Sequence, residues 1–293
     1  MYPDNDQLIA PQRVGKILRP AEPWRGSAAK NPWSYEVNVV IPHLDTPEPL
    51  EVAVDLWRAQ TVRPFITIID TGSLSQHHDR IAALEADDVE VHWIRGRGWR
   101  HSSQLVSVAQ DVALATCRNR YQFCTHSDVF PMAVDTLEWF RDRCSAQNPL
   151  VGYEISPRGH VPPGWLRDNW KGLLGHTATM MHVDTIRRLG INWDYERALA
   201  VFPELSRDNP RDFDTEVGFG LHAKAAGIVP DIVGHDVNER RQTDQLIDHV
   251  RSHASSKAFG SEYHRKAAAY MAGAIASARN RLAEWNRADG RAA

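Results

Sequence analysis

The chain of 293 residues has few cysteines, no long apolar run and no surplus of positive charge, and each shortage removes a class of protein. Cys117, Cys124 and Cys144 fit neither a disulfide framework nor a zinc-binding spacing, which leaves reduced, buried thiols. No apolar stretch approaches the roughly 18 residues of a membrane helix. The segment from Met1 to Gln12 is polar and broken by proline, unlike a secretory leader, so a cytoplasmic protein is expected. A formal net charge of −3 gives no electrostatic footprint for bulk nucleic-acid binding. The adjacent basic pair Arg240-Arg241 follows Glu239 and is too small a patch to reverse that.

What remains is an ordinary globular composition, 42% hydrophobic and 24% charged. The length suits one large α/β domain or two small ones. Residues 1–34, with prolines at 3, 11, 20, 23 and 32, read as an extended arm. After it, short apolar runs alternate with helical patterns. Val37 to Pro42, Phe65 to Asp70, Val89 to Ile94 and Tyr121 to Thr125 read as buried strands. Pro49 to Thr61, His77 to Ala86 and Ser103 to Arg118 read as the helices between them. Such alternation predicts a mostly parallel sheet with helices on both faces, with ligands beyond the carboxyl ends of the strands. Asp45, Asp70, Arg97 and Asp128 all fall at or past those ends.

The second half is less regular. Helices are expected from Val134 to Cys144, Val183 to Leu189 and Phe213 to Ala226, the last two closed by Gly190 and Gly227. Strands are expected from Leu150 to Ile155, Thr177 to His182 and Ile228 to Val233, and an Ala-rich helix from His253 onward.

Three pieces of the opening recur in a known order. A strand ends Val39-Val40-Ile41-Pro42, a helix ends Ala59-Gln60-Thr61, and a strand ends Ile68-Ile69-Asp70-Thr71-Gly72-Ser73. In this order and spacing the set resembles the start of glycosyltransferase family 2, and looser likeness extends over residues 36–236. The resemblance implies a GT-A fold: an α/β domain over 35–252, with 253–293 as a C-terminal helix packed on it. It further implies transfer of a sugar from a UDP- or GDP-sugar with Mn2+ or Mg2+, by an inverting route. The acceptor stays open among a glycan, a small molecule and a modified nucleobase. Two other readings stand beside it, a non-catalytic nucleotide-sugar binder and a nucleotidyltransferase. The second would need a glycine-rich loop after the first strand, where this chain has His43-Leu44-Asp45-Thr46-Pro47.

The resemblance assigns candidate roles, and each has a plainer structural counterpart. Asp70 would receive a pyrimidine N–H or a ribose hydroxyl, or cap a turn. Pro42, His43 and Asp45 would cradle the base. His126-Ser127-Asp128 sits where the family carries its Asp-x-Asp metal motif, with His126 in place of the first acid. His235, with Asp236 beside it, would complete the metal shell. Asp214 is the first choice and Glu216 the second for the base that takes the acceptor proton, although acids also suit a first helical turn. Arg97 would reach the pyrophosphate, and Trp170 and His176 the acceptor side.

Overall fold

A computed structural model describes residues 32–94, 102–155, 172–194, 215–235, 242–250, 261–288 and 290, without the side chains of 102–105, 176, 215, 216 and 261–268. The strands are β1 (Val37–His43), β2 (Phe65–Asp70), β3 (Val89–Trp93), β4 (Tyr121–Cys124), β5 (Val129–Pro131), β6 (Leu150–Glu154), β7 (Leu174–His182), β8 (Asp231–His235), β9 (Gln242–Thr243) and β10 (Ile247–His249). The helices are α1 (Pro47–Arg58), α2 (His78–Ala82), α3 (Ser102–Thr116), α4 (Thr136–Arg143), α5 (Val183–Leu189), α6 (Thr215–Ala225) and α7 (Ser261–Ala288).

Seven strands form the central sheet in the order β3-β2-β1-β4-β7-β6-β8. Only β7 runs against its neighbours; every other pairing is parallel. The strand β1 is buried along its whole length, as expected of a strand covered on both faces. Val37, Val39 and Ile41 enter one core with α1 and α7, and Val40 enters another with α3. This is the two-residue period of a strand feeding two layers. The pattern therefore gives helices on both faces, as the alternation predicts.

Pro42 sits in a central strand without breaking a ladder. The pairing of β1 with β4 covers only Val37 to Val40, and the Val40 carbonyl accepts the Thr125 N–H at 3.1 Å. Backbone groups alternate sides along a strand, so Pro42 faces the β4 side, where β4 has already ended. The missing N–H costs nothing there.

Several elements end where side chains bind the backbone elsewhere. The helix α1 starts at Pro47, earlier than expected, because proline suits the first helical position. It stops at Arg58 because Gln60 turns away. Gln60 Nε2 donates to the Ala133 carbonyl at 3.0 Å, and its Oε1 accepts the Leu137 N–H at 2.9 Å. The helix α2 is shorter than expected because Ala86 bridges back to Val89, while Arg58 and Arg63 hold the buried Asp88 at 3.0 and 3.1 Å. The strand β8 begins at Asp231, leaving Val229 exposed ahead of it. A second small sheet, β5-β10-β9, is one the periodicity did not predict.

Candidate functional site

At the ends of β1 and β2, three polar residues lock two loops together. Asp70 is buried, and its Oδ1 accepts the N–H groups of Gly72 at 3.0 Å and Ser73 at 2.8 Å. Its Oδ2 accepts the Ser73 hydroxyl at 2.5 Å. Ser73 Oγ in turn accepts the Asp45 N–H at 2.7 Å, and Asp45 Oδ1 accepts the Leu74 N–H at 2.6 Å. Asp45 adopts φ of +57°, a left-handed conformation that Asp tolerates better than most residues, and this loop network holds it there. Gly72, at φ +108°, needs the freedom of glycine to let the chain pass. Burial raises the Asp70 carboxyl above its ordinary value, against the Ser73 and Gly72 hydrogen bonds that favour its ionised form. The contacts of Asp70 are thus those of a turn-holding carboxylate.

His43, paired in register with Asp70, is also buried. Neither ring nitrogen has a hydrogen-bond partner among the described residues. Burial lowers its pKa to about 3, so the ring is neutral; Asp45 opposes the shift and His77 adds to it. A buried neutral imidazole without partners is costly unless a ligand or ordered water supplies them.

The loop after β1 reaches the end of β4. Thr46 Oγ1 lies 3.5 Å from Ser127 Oγ, the middle of the His126-Ser127-Asp128 segment. Here the ligating atoms of His126, Asp128 and His249 all fall within 4.8 Å of one another. Asp128 Oδ1 is 4.0 Å from His126 Nδ1 and 3.8 Å from His249 Nε2. These separations are too long for hydrogen bonds. Metal bonds of roughly 2.1 Å place donor atoms roughly 3 to 4 Å apart, close to what is observed. Burial lowers the His249 pKa, with Asp128 opposing, which keeps the imidazole in the neutral form a metal requires. Two imidazoles and one carboxylate suit Mn2+ and other transition ions better than Mg2+, which prefers oxygen. The residues present fit a divalent cation.

His249 escaped the sequence reading because it lies far along the chain in a three-residue strand. It arrives through β10, which pairs antiparallel with β5 so that His249 faces Val129, next to Asp128. The Val250 N–H also donates to the Asp128 carbonyl at 3.0 Å. The turn before β10 is capped by Asp244, whose Oδ1 accepts the Leu246 and Ile247 N–H groups at 2.8 and 3.0 Å. The Tyr153 hydroxyl, from β6, donates to Asp244 Oδ2 at 2.7 Å. On the other side, Arg281 of α7 donates to the Pro131 carbonyl at 2.7 Å. The signal available was Asp248-His249 inside the apolar run Leu246 to Val250.

The structure does not bring His235 to this cluster. It ends β8, three strand spacings or roughly 14 Å across the sheet from β4. There its Nδ1 lies 2.6 Å from Oε2 of Glu154, the last residue of β6. Glu216 falls in the first turn of α6 and His176 on β7, but their side chains are outside the described residues. Arg97, Trp170, Asp214 and Asp236 lie outside the described residues altogether.

The strand order and the single antiparallel strand define an α/β protein of the GT-A fold class. No family model and no curated protein matches the chain. Solved structures do. A mannosyltransferase from Pyrobaculum calidifontis, in complex with GDP-Man and Mn2+, is 16% identical over 97% of this chain and 82% of its own, with a TM-score of 0.46. Glucosyl-3-phosphoglycerate synthase from Mycobacterium tuberculosis, with Mn2+, UDP-glucose and phosphoglyceric acid, is 13% identical over 83% and 81%, with a TM-score of 0.43. TarS 1-349 from S. aureus is 12% identical over 87% and 74%, with a TM-score of 0.46.

Proposed function

We propose that this chain is a metal-assisted glycosyltransferase that takes the sugar from a UDP- or GDP-sugar. The observation that carries the reading is the His126, Asp128 and His249 cluster, joined through Ser127 and Thr46 to the loops that close β1 and β2. The nucleoside end of the donor sits beyond β1 and β2. The backbone of Pro42 and His43 and the loop at Asp45 line that position. Asp70 holds the loop that these contacts need. The diphosphate lies toward β4, where His126, Asp128 and His249 hold Mn2+. When bound, the ion offsets the negative charge that builds on the departing nucleoside diphosphate.

A thermal-shift screen of nucleoside diphosphates, with and without Mn2+, tests the reading. UDP or GDP should raise the melting temperature only when Mn2+ is present. A ligand at a hundredfold excess over its dissociation constant adds about 2.7 kcal/mol of apparent stability. A screen in which no nucleotide gives a Mn2+-dependent shift rejects the proposal.

A further inference from the structure

We infer that Glu154 and His235 form a carboxylate–imidazole pair that takes the proton from the acceptor hydroxyl; this rests on the transfer proposed above. The two residues are register partners on the parallel strands β6 and β8, so their side chains leave the sheet together at its carboxyl edge. Because β7 opposes both β4 and β6, that edge is the one bearing the His126 cluster. The loops after β1 and β2, where the nucleoside is proposed to sit, lie on one side of the cluster and the pair on the other.

The contrast in exposure separates this pair from an ordinary structural ion pair. The Glu154 side chain is 6% exposed, whereas that of His235 is 69% exposed. Glu154 is fixed at both oxygens: Oε1 accepts the Gly172 N–H at 2.5 Å, and Oε2 is 2.6 Å from His235 Nδ1. A carboxylate bound at Nδ1–H sets the tautomer and orients the ring. That leaves Nε2 as the nitrogen with a lone pair, on a ring open to solvent. Burying a carboxylate is expensive, and here the arrangement yields an oriented base rather than a closed interior contact.

The step balances without any further reactant. The acceptor O–H bond breaks and its proton passes to His235 Nε2. The acceptor oxygen forms a bond to the anomeric carbon from the face opposite the diphosphate. The bond from that carbon to the diphosphate oxygen breaks, and its electron pair leaves with the nucleoside diphosphate. Glu154 stabilises the imidazolium through Nδ1–H.

Water can serve as the acceptor probe, because it has free access to so exposed a ring. The full chain is incubated with GDP-mannose or UDP-glucose and Mn2+, and nucleoside diphosphate release is measured beside nucleotide affinity. His235→Ala should lower release at least about 100-fold while affinity stays within about twofold, and added imidazole should restore part of the rate. Glu154→Gln leaves one acceptor oxygen for two donors and loses the charge, and should lower release about 10-fold. Release unchanged in His235→Ala overturns the inference, as does a loss that imidazole does not repair. A wild-type chain that binds donor but never releases product overturns it too. Failure of the wild-type chain to bind either donor sinks the transferase proposal itself. If Asp214→Asn abolishes release while His235→Ala does not, the base lies in the segment ahead of α6.

Discussion

The two sides of the central sheet are built by different means. On the β1–β4 side, loops are held by hydrogen bonds between residues close to strand ends: Asp70 with Ser73, Ser73 with Asp45, Gln60 with Ala133 and Leu137. On the β6–β8 side, close steric fit adds to the hydrogen bonds of Glu154 and Tyr153. A Cβ on Gly152 would meet Thr179 Oγ1 at 2.3 Å and the Ala178 carbonyl at 2.9 Å, and one on Gly234 would meet the Tyr153 ring at 2.8 Å. The first side resembles a clasp of polar groups; the second is a close packing of backbone against side chains. The candidate cation cluster lies at their junction, with two members from the β4 end and one from β10.

Three substitutions and a pH dependence probe that contrast. The largest effect is expected at the junction: Asp128→Ala should abolish Mn2+-dependent donor turnover while leaving the urea midpoint near that of wild type. On the packed side, Gly152→Ala should cost about 1–3 kcal/mol by overpacking, read from urea unfolding. On the clasped side, Gln60→Ala should cost somewhat less, about 1–2 kcal/mol, by stranding the Ala133 carbonyl and the Leu137 N–H. If Gly152→Ala is neutral, the two sides do not differ as described.

A pH dependence probes the clasped side as well. The folded pKa of His43 is near 3, below its unfolded value of 6.5. Between those values the unfolded chain binds a proton that the native chain does not. Stability from this group is therefore lost as pH falls from 6.5 toward 3, with a slope of up to about 1.4 kcal/mol per pH unit. Asp111 works in the opposite direction. Burial lifts its carboxyl from 3.8 to about 7, with Asp194 adding to the rise and the Trp193 N–H opposing it. Asp111 keeps some surface in solvent, which moderates the rise. Its native form holds a proton between 3.8 and 7, so its contribution falls as pH rises through that window. Urea titrations at several pH values should show a flatter acid limb in His43→Leu and a steeper one in Asp111→Asn.

The contrast also explains what could be read from the residues alone. The strands β1 and β2 are largely apolar, and the Ile-Pro, Gln-Thr and Asp-Thr-Gly-Ser pieces at the ends of β1, α1 and β2 come in order. Local pattern therefore reached the fold. It did not reach contacts made between distant parts of the chain. Gln60 looks like a motif letter, yet its work is to tie α1 to the segment before α4. Asp70 is expected to meet the donor, and its oxygens also hold its own turn, which local pattern does not show. His249 was passed over because its neighbour in space, Asp128, is remote in sequence. The pairing that joins them, β10 with β5, involves strands of three residues, too short to leave a periodic signal.

The central claim is that His249, rather than His235, completes the cation site with His126 and Asp128. Calorimetric titration of Mn2+ into the full chain with UDP or GDP tests it most directly. His249→Ala should weaken Mn2+ binding at least about 100-fold, whereas His235→Ala should leave it unchanged. The reverse pattern, with affinity lost on removing His235 and kept on removing His249, would contradict the account.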